Sequence, residues 1–304
     1  MNVIFFGTPD FAVPFVKHLA VDNEIELAAV VTQPDKPIGR KQVMTPPPVK
    51  TIAMDMGIPV LQPETIKGNP DFLTLIRKLE PDFIIVVAYG MILPQELLSI
   101  PTYDCINVHA SLLPYYRGAS PIQTSLLHGD SETGLSFMSM DQTLDTGDLY
   151  LLKKISIKED DTQETLSKRL ADLGATLLPS VLKDIYDGVL TPLPQNEEKA
   201  TYCSKIEKTD ALINPTSMTA REIYNMLRAF TPWPGIYMVY KGKRLKILEA
   251  HPVKESPSIK PGTFSTHDKK LLLGTKEGIL KLVTLQPEGK KAITAHDFMN
   301  GFLS

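Results

Sequence analysis

The segment Asp82-Phe83-Ile84-Ile85-Val86-Val87-Ala88 constrains the fold most. Its apolar character is nearly continuous rather than alternating, which marks a strand covered on both faces. Such strands belong to parallel sheets with helices on each side. The preceding sequence agrees. Val3-Ile4-Phe5-Phe6 ends at Gly7, and Thr8-Pro9-Asp10 opens a helical period through Phe11, Val13, Phe15, Val16 and Leu19. Glu26 to Thr32 reads as a second strand and Pro59-Val60-Leu61 as a short third. Cys105 to His109 reads as another, with a helix over Ala119 to His128. This βαβα order predicts a doubly wound, mostly parallel α/β sheet with its crevice at the carboxyl ends of the strands.

After Asp130 the texture changes. Gly134 to Met140 and Asp148 to Ile157 read as an antiparallel pair, and Thr162 to Tyr186 as a long helix. The stretch from Gly188 to Lys205 is polar and without a clear period. A helix over Thr219 to Ala229 follows, then short strands near 236–240, 244–251, 270–274 and 279–285, and a final helix from about Thr294. Short strands separated by Lys241-Gly242, Pro261-Gly262 and Glu277-Gly278 predict a small, OB-like β-barrel. The 304 residues thus divide into an expected catalytic domain (1–188), a linker (189–207) and a barrel domain (208–304).

Residues 208–304 hold 15 basic and 8 acidic side chains, a net +7, whereas the first 207 hold 17 and 27, a net −10. A basic module joined to an acidic one fits a polyanion partner, although solvated faces could produce the same count. The loop from Thr32 to Lys50 adds a local excess of Lys36, Arg40, Lys41 and Lys50 over Asp35. The longest apolar run, Phe83 to Tyr89, is far short of the roughly 20 residues a membrane helix needs. The first residues carry no basic region and no cleavage site. Two cysteines, Cys105 and Cys203, make neither a disulfide framework nor a thiolate metal site. The expectation is a soluble cytoplasmic protein, monomeric, without membrane contact and without a metal.

The turn after the first strand, Gly7-Thr8-Pro9-Asp10-Phe11, has one glycine where a dinucleotide cradle needs three. More informative is Asn107-Val108-His109 at a strand end, since residues two apart share a face and both project into the crevice. The acidic loop Asp141-Gln142-Thr143-Leu144-Asp145-Thr146-Gly147-Asp148 lies further on. An amide donor, an imidazole and a carboxylate form a workable set for acyl transfer. A histidine at a strand end is more often a hydrogen-bonded structural residue, so spacing alone leaves both readings open.

Longer motifs carry a resemblance. Phe6-Gly7-Thr8-Pro9-Asp10-Phe11-Ala12, Val31 to Pro37, Val87-Ala88-Tyr89-Gly90, Asn107 to Pro114 and Leu144 to Asp148 resemble the methionyl-tRNA formyltransferases. Phe230-Thr231-Pro232-Trp233-Pro234-Gly235 and Leu285 to Lys291 resemble the C-terminal domain of the same family. The Asn-x-His and Ser-Leu-Leu-Pro segments are shared with the wider group of formyl-folate enzymes. The Thr-Gln-Pro-Asp-Lys loop and the C-terminal motifs narrow it.

The resemblance implies a formyltransferase-like Rossmann variant with Asn107, His109 and Asp145 as the catalytic trio. It implies 10-formyltetrahydrofolate as co-substrate, held along Ser111, Leu112, Leu113 and Pro114, the loop of Val87, Ala88, Tyr89, Gly90 and Ile92, and the loop of Asp141 and Thr143. It also implies initiator methionyl-tRNA as partner, met by Lys36, Arg40 and Lys41 on the long loop. Lys290 and Lys291 are the expected contacts on the basic barrel. Two departures bear on tRNA contact: Lys41-Gln42-Val43 stands where relatives often carry more lysines, and the chain stops at Ser304 without the longer tail of some relatives. The alternatives are a sugar-amine formyltransferase, a formyl-tetrahydrofolate hydrolase, or a tRNA-binding protein without activity.

Overall fold

The continuous apolar run forms an interior strand of a seven-stranded sheet. The computed structural model describes residues 1–39, 41–253 and 258–303. Strands β1 (Asn2–Gly7), β2 (Glu26–Val31), β3 (Val60–Leu61), β4 (Phe83–Val87), β5 (Asp104–His109), β6 (Glu132–Ser139) and β7 (Leu149–Ser156) lie in the order β7-β6-β5-β4-β1-β2-β3. The β1–β2, β1–β4, β2–β3 and β4–β5 pairs are parallel, whereas β5–β6 is antiparallel. Phe83, Ile84, Ile85 and Val87 are fully buried, as a strand covered on both faces requires.

From β1 the chain winds outward through β2 and β3, then returns to β4 on the other side of β1. That reversal makes the carboxyl ends of β1 and β4 the switch point at which such sheets bind ligands. Gly7 and Val87 are register partners there, and the Thr8 hydroxyl donates to the Tyr89 carbonyl at 3.0 Å. Helices α1 (Val13–Val21), α2 (Pro48–Asp55) and α3 (Pro70–Lys78) follow the first strands. Each has proline in its first turn, where the missing N–H costs nothing. Asn69 caps α3 by accepting the Phe72 N–H at 3.0 Å. The long helix Gln163–Tyr186 brings Gly174 against Phe15 of α1, where an added Cβ would sit 2.6 Å from the ring.

The chain divides into two units that do not follow it in two blocks. One comprises Met1–Gly118, Thr133–Ile155 and Ser167–Tyr202; the other comprises Ala119–Glu132, Ser156–Leu166 and Cys203–Ser304. In the second unit α4 (Pro121–His128) packs on α5 (Ala220–Phe230), which begins with a capping box of Thr219 and Glu222. Buried Arg228 of α5 donates to the carbonyls of Lys158 and Asp161 and to the Asn225 side chain, tying in the segment 156–166.

A second large sheet is built from β8 (Tyr237–Tyr240), β9 (Lys243–Val253), β10 (Phe264–His267), β11 (Lys270–Gly274), β12 (Ile279–Pro287) and β13 (Ile293–Thr294). They form an antiparallel sheet in the order β8-β9-β12-β11-β10, with β13 also on β12. Register shifts on β9 around Glu249 bend this long strand, and the sheet curls into a half-barrel. Phe298 of α6 (Ala295–Phe302) is fully buried against the rings of Tyr240 and Phe264.

The sequence reading missed β10 and β13, which are short and carry no apolar alternation. It also read 32–50 as one loop. The structure places a hairpin there, Lys36–Ile38 paired with Val43–Thr45, and starts α2 at Pro48. Among the described residues no helix is long and apolar enough to cross a membrane.

Candidate active site

The period-two expectation for β5 holds. Asn107 and His109 project from one face and meet the same carboxylate. Asn107 Nδ2 donates to Asp145 Oδ1 at 3.4 Å, and His109 Nδ1 lies 3.6 Å from Asp145 Oδ2. The histidine and aspartate side chains are 7% and 10% exposed, so the pair is shielded yet reachable. His109 Nε2 lies 3.0 Å from the Tyr116 carbonyl, an acceptor, which commits Nε2 as an N–H donor. Nδ1 is therefore the ring atom that faces the Asp145 carboxylate. The Gly118 N–H donates to Asp145 Oδ2 at 2.8 Å. Asp145 thus gathers an amide, an imidazole and a backbone N–H at the carboxyl end of β5.

The segments expected to hold folate divide by burial. In the 87–93 loop Val87 and Tyr89 turn inward while Ala88, Gly90 and Ile92 face out. Ala88 and Gly90 both have positive φ, and this kinks the chain immediately after β4. Gln33 and Thr8 donate to the Tyr89 carbonyl, fixing the kink. The Tyr89 hydroxyl has no partner among the described residues, and burial pushes its pKa up to about 12. Ser111, Leu113 and Pro114 are buried, with the Ser111 hydroxyl spent on the Tyr115 carbonyl at 2.6 Å and Leu112 partly buried. Asp141 accepts from the hydroxyls of Thr143 and Thr146, folding its loop on itself. Gln142 donates to Gln95 at 3.3 Å, which joins this loop to the short helix Gln95–Leu98 that follows the 87–93 segment. Ile92 is 89% exposed and Leu144 65% exposed.

Sequence reading missed the support for Asp145. Arg117 is fully buried and donates to both oxygens of Glu197, at 2.6 and 2.8 Å, and to Gln195 Oε1 at 2.7 and 3.2 Å. Gln195 Nε2 in turn donates to the carbonyls of Asp145 and Gly147, at 2.9 and 2.7 Å. Residues 189–202, within the expected linker, are fastened to the sheet unit: Leu193 pairs with Leu149, and Thr201 exchanges backbone hydrogen bonds with Pro114 and Arg117. The one sequence signal was Arg117 itself, a charged residue inside the motif-bearing segment 107–118.

The family model described as formyl transferase matches residues 1–182, and that for the formyl transferase C-terminal domain matches 205–303. The chain is 47% identical to the methionyl-tRNA formyltransferase of Caldicellulosiruptor saccharolyticus, over 99% of this chain and 97% of that one. It is 44% identical to that of Thermodesulfovibrio yellowstonii, over 99% and 96%. The chain belongs to the methionyl-tRNA formyltransferase family. The fold is also that of WlaRD, a sugar 3N-formyl transferase solved in the presence of dTDP and 5-N-formyl-THF. That match has a TM-score of 0.68 and 18% identity, over 96% of this chain and 99% of that one.

The residues expected to meet tRNA in this formyltransferase family member fall in two places. Lys36 and Lys41 are exposed on the 36–45 hairpin, with Ile38, Val43 and Met44 also exposed; Arg40 lies outside the described residues. The hairpin's base is braced by Asp35, which accepts from Lys50 at 2.8 and 2.9 Å and from Gln62 at 2.8 Å. Those bonds, Gln62's foremost, hold the Asp35 carboxyl below its ordinary range. Lys290 and Lys291 are exposed after β12. Lys290 lines a groove of about 350 Å³ on the half-barrel with Lys241, Lys243, Arg244, Phe298 and Phe302. The Arg244 guanidinium lies over the Tyr237 ring, 3.8 Å from its centroid. Three of these cations were not singled out from the sequence.

Proposed function

We propose that the protein transfers the formyl group of 10-formyltetrahydrofolate to the α-amine of initiator methionyl-tRNA, the step that prepares the charged tRNA for translation initiation. The observation that carries the reading is the convergence of Asn107 and His109 on the Asp145 carboxylate, within a chain that matches the formyltransferase family over both its parts. The folate supplies the formyl carbon as an amide on N10. Ala88, Gly90, Ile92, Asp141 and Thr143 line its expected site, together with the 111–114 segment.

The chemistry follows from the donor set. The methionyl amine has a free pKa of about 8, so a usable neutral fraction exists at neutral pH. Its attack on the formyl carbon places negative charge on the formyl oxygen. Asn107 is the donor for that oxygen, because its bond to Asp145 is long and easily exchanged. A donor of this kind is worth ~3 kcal/mol in the transition state. His109 and Asp145, adjacent acid and base, carry the proton from the attacking amine to the departing N10. The hairpin lysines and the half-barrel groove supply phosphate contacts for the tRNA.

The test is product analysis with formyl-folate offered to methionyl-tRNA and, separately, to amino-sugar nucleotides. Formyl-methionyl-tRNA is the expected product. Transfer only to the sugar amine would favour the sugar N-formyltransferase reading, which the likeness to WlaRD keeps in view. Retention of tRNA without transfer would leave a binding protein.

A further inference from the structure

We propose that Gln195 is a positioning residue for formyl transfer, its side-chain amide, oriented by Arg117, setting the main-chain conformation that aims Asp145 at Asn107 and His109. The inference rests on the reading of Asp145 as catalytic. Asp145 has φ +56°, a left-handed conformation uncommon outside glycine and sustained here by the groups around it. Its own side chain cannot enforce this, since the carboxylate is turned toward Asn107, His109 and the Gly118 N–H. The enforcing groups act on the main chain. Gln195 Nε2 donates to the carbonyls of residues 145 and 147, one on each side of Thr146. At the far end of this turn Gly147 lies against β6, where an added Cβ would sit 1.9 Å from the Ser139 carbonyl oxygen. The turn is therefore held at both ends.

The amide can work only one way round. Its oxygen accepts two N–H bonds from Arg117, so its nitrogen must face the two carbonyls; flipped, it would set oxygen against oxygen and NH2 against guanidinium. Arg117 is fixed in turn by the bidentate bond to Glu197. Its chain neighbours complete a ring. The Tyr116 carbonyl is the partner of His109 Nε2, and the Gly118 N–H is a partner of the Asp145 carboxylate. One path thus runs from the Asp145 main chain through Gln195 and Arg117 back to the Asp145 side chain. Displacements of about 1 Å at reacting groups cost up to a hundredfold in rate.

The experiment is a cycle of Gln195→Glu and Asp145→Asn in the full chain, measured by formylation of methionyl-tRNA at saturating substrates. The glutamate matches the shape but cannot donate to the two carbonyls. Gln195→Glu alone is expected to lower kcat at least about tenfold, with KM for tRNA and folate within about twofold. On the Asp145→Asn background it is expected to lower residual turnover no further, because its effect passes through Asp145. An equal fold-loss on both backgrounds, as a merely structural role or misfolding would give, overturns the inference, as does a kcat within twofold of the parent. Gln195→Ala repeats the cycle should the glutamate variant not fold. Near-normal turnover of Asp145→Asn alone sinks the catalytic reading instead, so the two failures are distinguishable.

Discussion

Asp145 is nine-tenths buried and takes a short bond from the Gly118 N–H, yet its contacts to the side chains of Asn107 and His109 are long, at 3.4 and 3.6 Å. Short bonds would lock the trio; in the proposed reaction, these leave Asn107 and His109 able to turn to a reacting oxygen or proton. His109→Ala, Asp145→Ala and Asn107→Ala are each expected to lower turnover at least about a hundredfold, with little change in tRNA affinity, since their effect is confined to the transition state. Steady-state kinetics with a tRNA-binding measurement checks the split. Near-normal turnover in all three would remove the proposed chemistry. A pH effect belongs at this scale too. The hydrogen bond from Arg117 holds the Glu197 carboxyl below its ordinary range, so it contributes stability above the unfolded value of about 4.3. That contribution is lost as pH falls through the lower folded value. Melting midpoints of the parent and Glu197→Gln should differ at pH 7 and converge toward pH 3; a gap that persists in acid would refute the linkage.

At the scale of elements, the 36–45 hairpin stands out because Ile38, Val43 and Met44 are exposed beside two lysines on a segment whose base is rigidly tied. An exposed apolar tip with basic flanks on an anchored base suits a surface that is both charged and stacked, as a tRNA acceptor end is. Reversing Lys36 and Lys41 together to glutamate should raise the KM for tRNA several-fold while leaving that for folate near its parent value. Equal shifts in both would detach the hairpin from tRNA. The hairpin also shows a limit of sequence reading. Its three-residue strands carry Pro37 and turn at Gly39 and Gln42, both with positive φ, so no alternation long enough to register exists. The long alternating or continuous runs, by contrast, became the strands and helices expected of them to within a few residues.

For the molecule as a whole, the division of charge between the two parts of the chain sets the prediction. If the half-barrel grips phosphates, tRNA affinity should fall steeply with salt as condensed counterions are released, while folate affinity changes little. Charge reversal at Lys243, Arg244 and Lys290 should flatten the tRNA slope in the intact chain. Titration of both ligands from low to high salt measures this, and equal slopes would show that the net +7 is only a solvated surface. Removing residues 208–304 is a poorer test. Residues 119–132 and 156–166 belong to the same unit as the half-barrel, and a cut at 207 would strip α5 from α4 and remove the Arg228 bonds to the carbonyls of Lys158 and Asp161.

The sequence alone determined the doubly wound sheet, the curled C-terminal sheet and the pairing of Asn107 with His109. These rest on local physics: continuous or periodic burial, turn residues between strands, and the two-residue repeat that puts alternate side chains on one face. It also placed Asp145 in an acidic loop. What only the tertiary structure decided is why that aspartate points where it does. Gln195 and Glu197 lie some fifty residues beyond Asp145 in a polar stretch with no period, and they act through side-chain bonds to main-chain carbonyls and to a buried arginine. Such bonds depend on distance in space and leave no repeat in the sequence. The same holds for the groove on the half-barrel, where Lys241, Lys243 and Arg244 at one strand junction meet Lys290 from another. Composition gave the sign of the charge; folding gave it a place.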